Sequence, residues 1–269
     1  MTARPSDRET PPRERAAPVS TYGRVTNDWF LRFGAAPRAT VRLVCFPHAG
    51  GGAAGYRRWA DLVPESIEVV AVQYPGRQNR YGEPVIDDMT VLADEIVAAV
   101  ERELTGPVVF FGHSMGAVVA FEVARRLRSS DSLTVRRLFV SAGPAPSARR
   151  SLGVHLRDDD GVVAYLRELG GGGAELLELD EIRELTLPMV RGDLRLIETY
   201  RYAAGEPLNC PVTAIVGDRD HTFTTADARR WVVHTNAGLD VHSLPGGHFY
   251  LDDQADRLVP LLVERILPR

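Results

Sequence analysis

The chain has 269 residues, 44% of them hydrophobic and 25% charged, which are ordinary proportions for a globular protein that buries one sizeable core. The formal net charge of −4, and the lack of repeated basic and aromatic residues, argue against a nucleic-acid-binding function. All 32 basic residues are arginine, so chemistry that needs a lysine Schiff base or a lysine-anchored cofactor is excluded.

Targeting features of the sequence favour a cytoplasmic protein. No apolar stretch approaches the roughly 20 residues that a transmembrane helix needs, so we expect no contact with a membrane. Residues 1–25 are rich in proline and arginine, which predicts a flexible tail rather than a secretory signal. Cys45 and Cys210 lie in or beside apolar runs and are interpreted as reduced core residues.

From residue 26 to residue 269 the pattern predicts one α/β domain. Short apolar runs alternate with amphipathic stretches, which is typical of a mostly parallel sheet with helices on both faces. The predicted strands, in chain order, are Val41–Phe46, Ile67–Gln73, Pro107–Gly112, Val135–Ala142, Pro211–Gly217 and Leu239–Leu244. The predicted helices between them are Thr90–Leu104, Met115–Arg128, Thr225–Asn236 and Gln254–Ile266.

One long segment, residues 144–207, breaks the alternation because it contains no convincing strand. Amphipathic patterns at Asp158–Leu169 and Leu187–Tyr202 predict helices, and a run of four glycines, residues 170–173, lies between them. Loops at the carboxyl ends of parallel strands shape the ligand site of such sheets, and a glycine-rich hinge suits a moving cover. We therefore predict a helical lid here; a longer crossover connection is the alternative.

Residues 112–116 read Gly-His-Ser-Met-Gly, and this is the most informative motif in the chain. The apolar run Pro107–Phe111 precedes it and the helical pattern Ala117–Ala124 follows it. A strand, a sharp turn and a helix in that order form the nucleophile elbow of the α/β-hydrolase fold, with small residues on either side of a strained serine. The context predicts that Ser114 is a nucleophile.

A serine hydroxyl becomes a good nucleophile only when a base removes its proton, and in this fold the histidine follows the serine in the chain. His248 follows the last predicted strand through a glycine-containing loop, which allows its side chain to turn back over the sheet. The other histidines precede or adjoin the serine, fall in the insertion, flank the acid candidates, or lie within predicted helices and strands. His248 is therefore the candidate base.

The orienting carboxylate should follow the strand before the last one, and Gly217-Asp218-Arg219-Asp220 offers two candidates. Asp220 is favoured because the acid of this fold usually closes a G-x-x-D pattern. Asp218 is the alternative, interpreted as a turn residue that bonds to its own backbone.

Two backbone N–H groups must stabilise the negative oxygen that forms during acyl transfer. In this fold one comes from the residue after the nucleophile, which is Met115, and the other from the loop after an early strand. That loop contains His48-Ala49-Gly50-Gly51-Gly52, whose glycines allow the backbone to approach a substrate closely. We predict that Ala49 supplies the second N–H.

Several motifs, in the same order along the chain, resemble those of the type II thioesterases, the stand-alone editing enzymes of polyketide and non-ribosomal peptide synthesis. They are Phe46-Pro47-His48-Ala49-Gly50-Gly51, Tyr56 with Trp59, Leu62-Val63-Pro64, Tyr74-Pro75-Gly76-Arg77 with Arg80, Gly112–Gly116, Gly217–Asp220 and Gly247–Leu251. The resemblance runs from about Asp28 to Ile266. The chain departs from the family at His221, where a proline is common, and in its extended N-terminus.

The resemblance implies a triad of Ser114, Asp220 and His248 with the Ala49 and Met115 amides as the oxyanion hole. It implies hydrolysis of acyl groups carried on the phosphopantetheine arm of an acyl or peptidyl carrier protein. That arm belongs to the partner, so we expect no cofactor and no metal, and we expect a monomer.

Two other functions remain open at this point. A general carboxylesterase or lipase would use the same triad on a different leaving group. A catalytically silent hydrolase fold could instead serve as a ligand receptor or scaffold.

Carrier domains are typically acidic, whereas this chain is itself slightly acidic, so attraction would need a local basic patch. Arg77 and Arg80 follow a predicted strand and would lie at the carboxyl-end face of the sheet, where the arm enters. We predict that they dock the carrier protein, with Arg57 and Arg58 as alternates and ordinary solvated arginines as the competing interpretation.

Overall fold

The structure, a computed structural model, describes residues 24–25, 28–171 and 173–267. Within these ranges, eight strands form one sheet in the spatial order β1-β2-β4-β3-β5-β6-β7-β8. The strands are β1 Arg24–Val25, β2 Phe30–Arg32, β3 Val41–Phe46, β4 Ile67–Val72, β5 Gly106–His113, β6 Leu133–Ser141, β7 Val212–Gly217 and β8 Leu239–Leu244.

Strands β3 to β8 pair in parallel, and β2 runs antiparallel against both β1 and β4. The α-helices are α1 Met89–Glu103, α2 Met115–Arg126, α3 Asp159–Leu169, α4 Asp180–Thr199, α5 Thr225–Arg229, α6 Tyr250–Asp253 and α7 Ala255–Ile266. Short 3₁₀ helices lie at Ala53–Asp61, Gln78–Arg80, Leu127–Ser129, Pro146–Ala148, Val154–Leu156, Ala174–Glu178 and Arg230–His234. This architecture is the predicted α/β-hydrolase fold.

The central strands are apolar throughout because helices cover both faces of the sheet. In β5 the six residues from Val108 to His113 are all buried, as are the last four of β3. Phe46, Phe110 and Phe111 have no exposed surface and lie in the main core. The predicted strands are confirmed with shifts of one or two residues at their ends. β1 and β2 were not predicted, since two or three residues are too few to show an alternating pattern.

Helix boundaries follow local capping chemistry. The Asp88 side chain accepts the Thr90 and Val91 amides and so begins α1, and Thr224 and Asp227 form a reciprocal capping box at α5. The predicted helix Thr225–Asn236 is shorter than expected, because α5 passes into the 3₁₀ helix Arg230–His234.

The segment 144–207 contains α3 and α4 and, among its described residues, no strand of the sheet. It has a small core of its own, formed by Val154, Val162, Val163, Leu177, Leu187, Val190 and Leu194. Val190, Leu194 and Ile197 of α4 are buried and Met189 is half-buried, which agrees with the apolar stripe expected of a helix that covers the sheet. We call this segment the lid insertion.

The predicted tail, residues 1–25, lies outside the described residues except for Arg24–Val25. Those two residues form β1, so the sheet begins slightly earlier in the chain than expected. None of the helices in the described ranges is long and apolar enough to cross a bilayer.

Candidate active site

Ser114 lies on the turn between β5 and α2, in a backbone conformation that non-glycine residues rarely adopt. Its φ is 54° and its ψ is −115°. The turn leaves no room for side chains beside it: a Cβ built on Gly112 would lie 2.1 Å from the carbonyl oxygen of Gly116. The serine amide donates to the Ser141 carbonyl at 2.8 Å, which ties the turn to β6. The predicted nucleophile elbow is present.

His248 reaches Ser114 from the loop after β8. Its Nε2 lies 3.0 Å from Ser114 Oγ, and its Nδ1 lies 2.9 Å from Oδ2 of Asp220. The His248 side chain is 6% exposed, whereas the Asp220 carboxylate is fully buried. The structure thus brings together the three side chains that the sequence selected, in one continuous hydrogen-bonded chain.

Asp220 accepts hydrogen bonds from three groups besides His248. Its Oδ1 accepts the Thr222 amide at 2.8 Å, the Thr222 hydroxyl at 2.7 Å and the Phe223 amide at 3.2 Å. Burial alone would raise the pKa of Asp220, but the bonds from His248 and Thr222 outweigh it and hold that pKa below its usual value. The carboxylate is therefore ionised and fixed in orientation. Thr222 was not singled out from the sequence, because a threonine after an acid carries no pattern of its own.

Asp218, the alternative acid, lies outside this chain of contacts. It is exposed, and its Oδ1 accepts the amide of Gly246 at 2.9 Å. The predicted bond to its own turn is therefore replaced by a bond to the loop that carries His248. Gly217 lies against that loop as well, since a Cβ there would be 2.3 Å from the Gly247 carbonyl oxygen.

The two predicted oxyanion donors border the same cavity as the serine and the histidine. Ala49, Ser114, Met115 and His248 all line it. Within the described part of the chain, the amides of Ala49 and Met115 donate to no protein acceptor. Met115 is the first residue of α2, where free N–H groups and the helix dipole favour negative charge.

A second group of hydrogen-bonded side chains, His113, Ser141 and Tyr250, lies beside the triad. His113 Nδ1 lies 2.8 Å from Ser141 Oγ, which lies 2.5 Å from the hydroxyl of Tyr250. The His113 ring is fully buried, 5.4 Å from the His248 ring between centroids. Burial, together with the nearby His248 and His48, lowers the pKa of His113 well below its usual value, so His113 is neutral. No sequence pattern pointed to this group, since each member looks like an ordinary core residue.

Two neighbouring cavities lie near the candidate nucleophile, and Ser114 lines the first of them. One of about 400 Å³ runs between α4 and the loop after β6, past Ala142, Leu194 and Ile197. The other, of about 260 Å³, runs past Gly50, Gly171 and Val190. The residues shared by both cavities are His48, Ala49, Leu166 and Phe249.

The prediction that Arg77 and Arg80 present free guanidinium groups to a partner is wrong. Both side chains are buried, at 4% and 7% exposure. Arg77 pairs with Asp193 of α4, whereas Arg80 pairs with Glu83, donates to the Gln73 carbonyl and lies over the Trp29 ring. Sequence position placed them at the correct edge of the sheet, but it could not reveal partners that neutralise them.

No group of three or more His, Cys, Asp or Glu side chains in the described ranges is arranged to hold a metal ion. A strained serine, a histidine after the last strand and a buried carboxylate after the preceding strand define the class of this protein. They are the arrangement of a serine hydrolase of the α/β-hydrolase fold.

Comparison with known proteins narrows that class. The thioesterase domain family matches residues 41–266. The thioesterase PikA5 of Streptomyces venezuelae is 42% identical over 227 residues, which cover 84% of this chain and 81% of that protein. The chain belongs to the thioesterase family and is a thioester hydrolase.

Two solved structures are similar over nearly the whole fold. The type II thioesterase BorB from the borrelidin biosynthetic cluster is 40% identical with a TM-score of 0.83, covering 90% of this chain and 98% of that one. RedJ, a thioesterase from the prodiginine biosynthetic pathway in Streptomyces coelicolor, is 36% identical with a TM-score of 0.80, covering 85% of this chain and 87% of that one.

Proposed function

We propose that this thioesterase removes acyl groups from the phosphopantetheine arm of acyl or peptidyl carrier proteins, as an editing enzyme of polyketide or non-ribosomal peptide synthesis. The observation that carries the proposal is the chain of hydrogen bonds from Asp220 through His248 to Ser114, beside a cavity of about 400 Å³ that Ser114 and His248 line. A second cavity adjoins the first at Ala49 and Phe249, so the two together offer room for the acyl chain and for the thiol-bearing arm of a thioester.

In the acylation step, His248 Nε2 takes the proton from Ser114 Oγ as that oxygen attacks the thioester carbonyl carbon. The Ala49 and Met115 amides stabilise the oxyanion. The carbon–sulfur bond then breaks, and the proton held by His248 passes to the departing sulfur. A thiol with a pKa of about 8.5 leaves readily, so this transfer is easier than for an amide.

In the second step water replaces the thiol. His248 removes a proton from a water molecule, which attacks the acyl-serine carbonyl carbon. The bond between that carbon and Ser114 Oγ then breaks, His248 returns the proton to Oγ, and the free acid leaves. The buried, ionised Asp220 stabilises the imidazolium in both steps and keeps Nδ1 protonated. We propose that no cofactor or metal takes part, because the triad and the two amides supply every group that the reaction needs.

The similarity to thioesterases of the borrelidin and prodiginine biosynthetic pathways supports the biosynthetic role. We place the reaction in the cytoplasm, where Cys45 and Cys210, both buried free thiols, would stay reduced. We propose that the protein works as a monomer and that the lid insertion covers the acyl chain during turnover.

With Arg77 and Arg80 buried, the alternates Arg57 and Arg58 become the candidates for carrier docking. Both are exposed on the 3₁₀ helix after β3, with side chains 48% and 57% exposed. Their ion pairs with Asp61 and Asp256 lie at the surface, where such pairs contribute little and exchange readily. An acidic carrier domain could therefore recruit both arginines.

The test compares turnover on an acyl-carrier protein, an acyl-CoA and a nitrophenyl ester of the same acyl group. We expect the highest kcat/KM on the carrier protein. Preference for the nitrophenyl ester would favour a general carboxylesterase, and no turnover on any of the three would favour a silent binding fold.

Recognition of the carrier is tested separately with Arg57→Glu combined with Arg58→Glu. We expect a higher KM for the acyl-carrier protein and unchanged hydrolysis of a small thioester. The control is Arg38→Glu, since Arg38 is also an exposed, ion-paired arginine but precedes β3, at the opposite end of the parallel strands.

A further inference from the structure

Arg77 and Asp193 form a buried, bidentate ion pair between the sheet domain and the lid insertion. Arg77 Nη1 lies 2.7 Å from Asp193 Oδ2, and Nη2 lies 2.7 Å from Oδ1. The side chains are only 4% and 3% exposed. Arg77 follows β4, whereas Asp193 lies in the middle of α4, so the pair joins two elements that are far apart in the chain.

The pair also holds the loop that carries Ala49. Asp193 Oδ2 accepts the amide of Gly50 at 2.8 Å, and Arg77 Nη1 donates to the carbonyl of Gly51 at 2.9 Å. Each charged group therefore binds its partner and one peptide group of the loop. A buried charge with several good hydrogen bonds is held far more tightly than an exposed one.

These contacts restrict the direction of the Ala49 amide because peptide groups are planar. The Gly50 N–H shares its plane with the Ala49 carbonyl, so the bond to Asp193 fixes the peptide after Ala49. The His48 carbonyl shares its plane with the Ala49 N–H and accepts the Gly51 amide at 2.9 Å. Gly50 itself has a φ of +79°, in the left-handed region that favours glycine. The contacts around the loop must hold it in this conformation.

We propose that the Arg77–Asp193 pair positions the Ala49 amide so that it points into the oxyanion hole. This positioning depends on the docking of α4 against the sheet. When α4 lies on the sheet, Asp193 reaches Gly50 and the loop is fixed. When α4 moves away, the loop loses both its amide acceptor and its guanidinium donor. Closure of the lid insertion and assembly of the oxyanion hole are thereby one event. The inference rests on the proposed roles of Ser114 and Ala49.

The alternative is that the pair only fastens the lid insertion to the domain. Asp193→Asn and Arg77→Gln distinguish the two, provided that kcat is expressed per reactive serine. A fluorophosphonate that labels Ser114 to completion counts the folded active sites. The affinity of a trifluoromethyl ketone, which forms a tetrahedral oxyanion on Ser114, then reports the oxyanion hole directly.

We expect either variant to lower kcat per labelled serine on a small acyl thioester by about 10- to 100-fold, less than loss of a whole donor. KM should stay within about threefold. The inhibition constant of the ketone should rise by the same factor as kcat/KM falls. The double variant should have the same kcat per labelled serine as the less active single variant, because the two side chains act as a unit.

Arg191→Gln is the matched control. Arg191 lies on the same helix, but it bonds to His155, Arg157 and Asp159 inside the lid insertion and not to the loop. We expect this variant to keep kcat and ketone affinity per labelled serine. Should Asp193→Asn fail to fold, Arg77→Lys takes its place, because it retains the charge but loses the bidentate hydrogen bond. It should show kcat and ketone affinity per labelled serine reduced by the same factor.

Unchanged kcat and ketone affinity per labelled serine in the Asp193 and Arg77 variants, with only a lower unfolding temperature, would overturn the inference. A rise in KM alone would overturn it as well, since the pair would then act on binding. Failure of the proposed function looks different: the wild-type protein would not hydrolyse the thioester, or Ser114 would not be labelled.

Discussion

Gly116, at the start of α2, lies directly against the backbone of Phe46 at the end of β3. A Cβ atom built on Gly116 would be 2.1 Å from the Phe46 carbonyl oxygen and 2.6 Å from that of Pro47. Real Cβ atoms do not approach a carbonyl this closely, so the contact requires glycine. It sets the loop that carries Ala49 beside the first turn of α2, which carries the Met115 amide.

Gly116→Ala should therefore damage both activity and stability. The new methyl group must push β3 and α2 apart, and the separation would move the Ala49 amide away from Met115. We expect a loss of about 1–3 kcal/mol in the free energy of unfolding, measured with urea, and a fall in kcat of roughly 100-fold. Gly55→Ala is the control, because a methyl group added there would have no other atom within 4 Å. Equal behaviour of the two variants would contradict this account.

Ser114→Ala and His248→Ala should each reduce kcat by a factor on the order of 10⁴ to 10⁶, because the nucleophile and its base act in one step. The double variant should be scarcely worse than either single variant. Steady-state hydrolysis of a small acyl thioester measures all three proteins. Substantial turnover by Ser114→Ala would rule out the acyl-serine mechanism.

Asp220→Asn should lower kcat by a factor on the order of 10³ to 10⁴, since His248 loses the charge that stabilises its protonated form. Asp218→Asn is the matched control: the amide oxygen can still accept the Gly246 N–H, so we expect less than about a threefold change. The same thioester assay compares them. A reversed ranking would mean that the acid has been misassigned.

His234 should make the fold sensitive to mild acid. Burial, aided by Arg125 and opposed by Glu122, lowers its pKa from 6.5 to about 4. Between these values the unfolded chain binds a proton that the folded protein does not, so stability falls as the pH drops from about 6.5 toward 4. The slope contributed by one such histidine is at most about 1.4 kcal/mol per pH unit.

His234→Gln removes that contribution while keeping a polar group near Ser147, which lies 2.9 Å from His234 Nε2. We expect the urea-derived free energy of unfolding to decline less steeply than in the wild type between pH 6.5 and 4.5. Measurements at pH 7.5, above both pKa values, give the change caused by altered packing alone. Parallel curves for the two proteins would show that His234 does not carry the effect.

The positions of Ser114, Asp220 and His248 could be predicted because each lies within four residues of the end of a strand. Parallel strands end at one edge of their sheet, so residues that follow different strands meet there however far apart they are in the chain. The strands themselves were evident from their apolar runs, since burial on both faces leaves a local pattern. Local sequence and a general rule of topology together were enough for the candidate triad.

The two docking arginines show where that reasoning fails. A charged side chain after a strand is normally exposed, and nothing near Arg77 in the chain indicates otherwise. Its partner, Asp193, is 116 residues away on α4. The cost of burying each charge is offset only when both are brought together and hydrogen-bonded, which is a property of the folded molecule.

The same limit applies to the hydrogen-bonded group beside the triad. His113, Ser141 and Tyr250 come from three separate elements, and each alone has the character of a core residue. The sequence by itself determined the parallel strands, the nucleophile turn and the order of the triad, because these depend on local pattern and strand direction. Only the tertiary structure decided which polar groups are buried and how the lid insertion is fastened to the Ala49 loop, because those depend on contacts between distant residues.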